Sequence, residues 1–156
     1  MWYIIPIAVV LDQLLKWWAY SAIAPFESVV LIPGVLSATN ILNTGAFLGW
    51  FPNGNNILAI IAAAISSGVF IYLWLKGGHS KRVEIALVMI VSGAIGNLID
   101  RLVHNGVVDF IQLEFMNFPV FNIADILITG GALLLAWHII TTDDHKKEKK
   151  EKNAKN

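Results

Sequence analysis

The sequence contains no cysteine, which excludes a disulfide framework, a thiolate metal site and a cysteine nucleophile. Charge is scarce too: only 14% of the 156 residues are Asp, Glu, Lys or Arg, where soluble domains carry about a quarter. The four histidines, His79, His104, His138 and His145, are scattered and form no HExxH pair, so no metal or other cofactor is expected. Ser66, Ser67 and Ser92 lack a nucleophile motif or a nearby histidine. What fills the chain instead is apolar: 56% of its residues. A soluble domain of this length could not bury so much apolar surface, whereas a bilayer could cover it. An ordinary soluble enzyme, a disordered segment and a nucleic-acid binder are thereby excluded.

Four apolar stretches, 2–24, 57–75, 83–103 and 122–140, are long enough to cross a hydrocarbon core, which needs about 20 helical residues. Aromatic residues mark their ends (Trp2, Tyr3, Trp17, Trp18, Tyr20, Trp74 and Trp137) as interfacial belts do. The first stretch is not expected to be a removable signal peptide. It has no basic leader, Asp12, Gln13 and Lys16 interrupt it, and Pro25 follows the Ala22-Ile23-Ala24 pseudo-site.

Net charge is zero, but the basic residues are segregated. Lys76, Lys81 and Arg82 share one connection, and six lysines fall between 146 and 155. The positive-inside rule places both sites, and with them both termini, in the cytoplasm. Segments 25–56 and 104–121 then face outward. Within 27–50, two β-prone runs flank Pro33-Gly34, a turn signal, which predicts a small surface sheet. The fold expected is an all-α membrane protein, a four-helix transmembrane bundle with a small extracytoplasmic sheet. Residues 1–142 form its single domain, followed by a charged cytoplasmic tail, 143–156, without fixed structure.

Polar residues at membrane depth are costly and usually face the bundle interior. Asp12 and Lys16 stand i,i+4 on the first helix, either as an ion pair or as substrate contacts. Asn97, Asp100 and Arg101 share a face near the outer end of the third helix. There Asp100 and Arg101 could pair with each other or clamp a neighbouring loop. Asp109 lies in an apolar run just beyond that helix, and Asp125 one turn into the fourth, behind Asn122. Either acid alone could be a cap or a structural hydrogen-bonding residue. Topology nonetheless places both at one depth, near the outer membrane surface. Two carboxylates in contact tend to share one proton, which suits them to activate water and polarise a peptide carbonyl.

Five pieces, in order, resemble bacterial lipoprotein signal peptidase (signal peptidase II). They are Asp12-Gln-Leu-Leu-Lys16, Asn43-Thr-Gly-Ala-Phe47, Gly96-Asn-Leu-Ile-Asp-Arg-Leu102, Val108-Asp-Phe110 and Phe121-Asn-Ile-Ala-Asp125. The resemblance implies that Asp109 and Asp125 are the catalytic dyad and that Asn97 and Arg101 line the substrate site. It implies that Asp12, Lys16, Asn43, Gly45, Asp100, Asn122 and Ala124 support or line that site, and that a β-cradle covers it. The implied reaction removes the signal peptide of a prolipoprotein immediately before a diacylglyceryl-modified cysteine. Implied partners are these precursors, membrane lipids and the inhibitor globomycin, with no nucleic acid and no obligate protein partner. The competing expectation is a small transporter or proton channel using Asp12, Lys16, Asp100 and Asp125 as a relay.

Overall fold

The structure, a computed structural model, describes residues 2–45, 54–75 and 80–154, with 143–154 described by backbone alone. Helix α1, Ile4–Ala22, leads into an antiparallel hairpin of β1, Ser28–Ile32, and β2, Leu36–Asn43. Helices α2, Asn55–Leu75, and α3, Lys81–His104, follow; then come β3, Val107–Leu113, and α4, Ile123–Ala154. Gly34, at φ +70°, makes the hairpin turn, a backbone region that costs glycine little. Residues 46–50 of the expected outer segment, including Phe47 of its motif, lie outside the described residues.

Among the described residues, three helices are long and apolar enough to cross a membrane: Asn55–Leu75, Lys81–His104 and Ile123–Thr142. These and the small sheet make a mostly helical membrane protein. Helix α4 runs on through 143–154. The physical reason lies in that segment's composition. It holds no Gly or Pro, and its many Lys and Glu residues are good helix formers.

Helix α3 is central, packed against α1, α2 and most extensively α4. Its start is capped by Ser80, whose hydroxyl accepts from the Val83 amide, and it ends at Asn105 in the left-handed conformation. Small residues bring α3 and α4 together. A Cβ at Gly131 would lie 2.6 Å from the Ala86 carbonyl, and one at Gly93 would collide with the Ala124 carbonyl.

The three strands pair antiparallel in the order β1-β2-β3. Between the Ala38–Ile111 and Ile41–Asp109 pairs, β2 carries one extra residue, a bulge that re-aims the strand. In that bulge Asn40 donates to the Ile23 carbonyl at 2.8 Å, tying the sheet to the end of α1. Ala19, Ile23, Ala38 and Phe110 close the junction as a buried apolar cluster.

The polarity of the interior is unusual. Among the most deeply buried large side chains are Lys16, Asp12, Asp100 and Asn122, while Ile57, Ile60 and Trp74 of α2 face outward. Apolar exterior and polar interior are what a lipid solvent selects.

Candidate active site

Deep in the bundle, the Lys16 ammonium meets three acceptors. They are Asp12 Oδ2 at 2.9 Å, Asp100 Oδ2 at 3.1 Å and Asn97 Oδ1 at 2.9 Å. An ammonium has three donors and no acceptor, so it is fully satisfied. Its two carboxylates also hold backbone. Asp12 Oδ1 accepts from the Ala124 amide at 2.9 Å, and Asp100 Oδ2 from the Val108 amide at 3.0 Å. Gln13 donates to Asp100 Oδ1 at 2.9 Å and to the Gly96 carbonyl at 3.1 Å. One buried cluster therefore ties α1 and α3 to the start of α4 and to β3. Removing one member of such a cluster typically costs about 3–5 kcal/mol, because a buried charge is left unpaired.

On this base stand the two candidate acids. Register fixes Asp109: Asn43 pairs with Val107, so Asp109 is its diagonal neighbour across the β2–β3 ladder. Asn43 Nδ2 donates to Asp109 Oδ2 at 2.9 Å. Asp125 is fixed by the start of α4, where it and Asn122 bond reciprocally. The Asp125 amide donates to Asn122 Oδ1 at 2.9 Å, and the Asn122 amide to Asp125 Oδ2 at 3.2 Å. This is the pairing of a capping box, between N-cap and third helical residue. Asn122, fully buried, then spends its side-chain NH2 on Asp109 Oδ1 at 2.7 Å, so one residue donates to both acids, to Asp109 from its side chain and to Asp125 from its backbone amide. Asn97 Nδ2 supplies a further donor to Asp125 Oδ1 at 2.9 Å.

The orientation of each carboxamide follows from its other partner. Lys16 can only donate, so it must face the oxygen of Asn97. The Gly45 amide, donating at 3.0 Å, must face the oxygen of Asn43. The Asp125 amide does the same for Asn122. Each NH2 is thereby turned onto a carboxylate.

Both acids border a cavity of about 800 Å³. Asn43, Gly45, Asn97 and Arg101 share its polar end, while Ile126, Ile128 and Leu133 of α4 make an apolar wall. Arg101 reaches over from α3, donating to the Gly45 carbonyl and to Asn55 Oδ1, both at 3.3 Å. Burial pushes the Asp109 carboxyl up to about 7, with the charge of Asp125 adding to the effect, while hydrogen bonds from Asn43 and Asn122 and the charge of Lys16 oppose it. A group poised near neutrality beside a second acid can give or take a proton at working pH.

All eleven residues expected from the sequence lie at this site or in its support. Asp12 and Lys16 do form the ion pair. Asp100 and Arg101 turn to different partners: Asp100 joins Lys16 and the β3 entry, and Arg101 joins Asn55 and Gly45. Ala124 is fully buried and serves through its backbone amide. Two residues escaped the sequence reading as site residues. Gln13 was signalled by its place between Asp12 and Lys16 in an apolar run. Asn55, whose NH2 holds the Arg101 carbonyl and Asn105 Oδ1, is an ordinary residue for a helix start, so nothing local distinguishes it.

Comparison with known proteins gives a consistent picture. A family model described as signal peptidase (SPase) II matches residues 4–141. A lipoprotein signal peptidase of Clostridium tetani is 36% identical over 149 residues, 94% of this chain and 96% of that protein. One of Symbiobacterium thermophilum is 35% identical over 139 residues, 88% and 91% of the two chains. Among solved structures, a bacterial membrane enzyme determined by the in meso method at 2.3 Å resolution superposes with a TM-score of 0.87. It is 29% identical, and the match covers 94% of this chain and 90% of that one.

Proposed function

This chain belongs to the signal peptidase II family of membrane peptidases, and from that premise we propose that it cleaves prolipoproteins with an aspartic dyad, Asp109 and Asp125. The observation that carries the reading is the bridge: two acids from separate elements border one cavity, and both carboxyls accept from Asn122, Asp109 from its side-chain NH2 and Asp125 from its backbone amide. The substrate is a signal peptide followed by a diacylglyceryl-modified cysteine, and the bond cut precedes that cysteine.

The chemistry needs one proton on the pair. The ionised member takes a proton from a water between them as the water oxygen attacks the scissile carbonyl carbon. The protonated member gives its proton to the carbonyl oxygen, producing a gem-diol. On collapse the C–N bond breaks, the leaving nitrogen receives the proton taken from water, and a diol hydroxyl returns a proton to the other acid. Asn43, Asn97 and Asn122 hold the acids in place, so that positioning replaces a chance encounter. Arg101 and Gly45 lie at the polar end of the cavity, where a peptide backbone would be held. The apolar wall on α4 suits acyl chains or a signal helix.

In this reading α1 is a fourth span. Its 19 residues reach about 28 Å at 1.5 Å per residue, close to a hydrocarbon core of about 30 Å. Asp12 and Lys16, which lower its hydropathy, are buried and never meet lipid. The enzyme sits in the bacterial cytoplasmic membrane, both termini inside and the dyad near the outer face, where the lipid chains hold the scissile bond. Globomycin is expected to compete for the cavity. A transporter relay is not favoured: Lys16 is saturated by Asp12, Asp100 and Asn97, and both acids also hold backbone amides.

The test is a gel-shift assay with purified protein and two precursors identical except for the diacylglyceryl group. Cleavage of the lipidated form alone, suppressed by globomycin, is the expected result. Equal cleavage of both forms would refute the assigned substrate class.

A further inference from the structure

The two acids of the pair are held by chemically different donors. Both oxygens of Asp109 accept from neutral carboxamides, Asn43 and Asn122, each oriented by a neutral backbone amide. Asp125 accepts one bond from the Asn122 backbone amide, at the N-terminal end of α4, where dipoles favour an anion. Its other bond comes from Asn97, and Asn97 is oriented by the ammonium of Lys16.

From this asymmetry we infer that Lys16 is a positioning residue for the reaction: by locking the Asn97 carboxamide it fixes Asp125 as the ionised base and leaves the shared proton on Asp109. The inference rests on the aspartic-dyad reading above and goes beyond it by assigning roles within the pair. Lys16 is nearly inaccessible, at 2% exposure, and does not border the cavity; it acts through Asn97.

A charged donor polarises the amide it binds, so the Asn97–Asp125 bond is strengthened toward the ionised carboxylate. Net charge alone would not give this result, because Lys16 stands against two carboxylates, Asp12 and Asp100. Direction is what matters: the ammonium cannot accept, so the carboxamide cannot flip and present its oxygen to Asp125. Among the described residues the other charged group facing the pair is Arg101 of α3, shared between both acids. Helix α2 and strand β2 bring amides and no charge, and β3 brings only Asp109.

The experiment is a kcat–pH profile with the lipidated precursor for wild type, Asn97→Leu, Lys16→Met and the double variant, each checked for folding by thermal melt in detergent. Asn97→Leu should lower kcat roughly tenfold to a hundredfold, the range of a lost hydrogen bond to a charged group. It should also move the acid limb to higher pH by about one unit, because an unsupported base is protonated sooner. Lys16→Met should shift the same limb in the same direction, and the double variant should be no slower than Asn97→Leu alone.

Losses that multiply in the double variant, or an acid limb unmoved by Asn97→Leu, would overturn the inference. If Lys16→Met does not fold, Lys16→Met/Asp100→Asn removes one buried charge of each sign and is read the same way. If that also fails, the Asn97→Leu profile decides alone. Failure of the dyad reading itself would look different, since wild type would then not cleave the precursor at all.

Discussion

Asn122 Nδ2 lies 2.7 Å from Asp109 Oδ1, and the same side chain accepts the Asp125 amide through its oxygen. A helix cap and a bridge from the start of α4 to the Asp109 carboxyl are thus one side chain. Asn122→Ala removes both. Loss of the cap costs about 1 kcal/mol, and a buried carboxyl short of a donor costs about 1–3 kcal/mol more. A lower detergent melting temperature together with a fall in kcat of at least tenfold is expected. A variant that melted normally and turned over at the wild-type rate would show that the bridge has no role.

Proton affinity at Asp109 predicts the alkaline side of the rate profile. Activity should decline as pH rises through about 7, where Asp109 loses its proton. Asn43 donates to Asp109 and favours its ionised form, so Asn43→Ala should move that limb upward. A downward shift, or none, in a folded variant would contradict the assignment.

The same shift has a stability consequence of fixed sign. Asp109 binds its proton more tightly folded, at about 7, than unfolded, near 3.8. Its contribution to stability is fully present below about pH 3.8 and is lost progressively as pH rises through about 7. Asp109→Asn should therefore melt higher than wild type at pH 8, with the gap closing toward pH 5. An equal gap at both values would mean that Asp109 is not the titrating group.

Much of this was legible in the sequence because a bilayer leaves few places for polar residues. Asp12, Lys16, Asn97, Asp100 and Asp125 stood out against apolar runs, and Pro33-Gly34 marked the hairpin later found between Ile32 and Leu36. What a sequence does not carry is direction. That Asp100 turns to Lys16 while Arg101, its neighbour, turns to Asn55 depends on where α1 and α2 pack against α3. Asn55 was invisible for the same reason. In the tail two sequence signals oppose each other, since charge density argues for disorder while its Lys and Glu residues favour helix.

Close packing separates two glycines that look alike in sequence. A Cβ at Gly96 would stand 2.5 Å from Asp12 Oδ2, an oxygen that the Lys16 ammonium holds in place. Gly96→Ala should destabilise by about 1–3 kcal/mol, as overpacking does. At Gly68 on α2 a Cβ would meet nothing within 4 Å, so Gly68→Ala should be neutral or stabilise by up to about 1 kcal/mol. Chemical denaturation in one detergent would rank them, and the reverse order would refute the packing described.

The most direct measurement compares wild type, Asp109→Asn and Asp125→Asn on the diacylglyceryl-modified precursor at pH 6.5, at equal folded concentration. Each substitution keeps the shape of the side chain and removes its capacity to exchange a proton. Loss of cleavage in both variants, by at least a thousandfold and with melting temperatures no lower than wild type, is the predicted result. Near-normal turnover in either one would remove that carboxyl from the reaction and contradict the dyad.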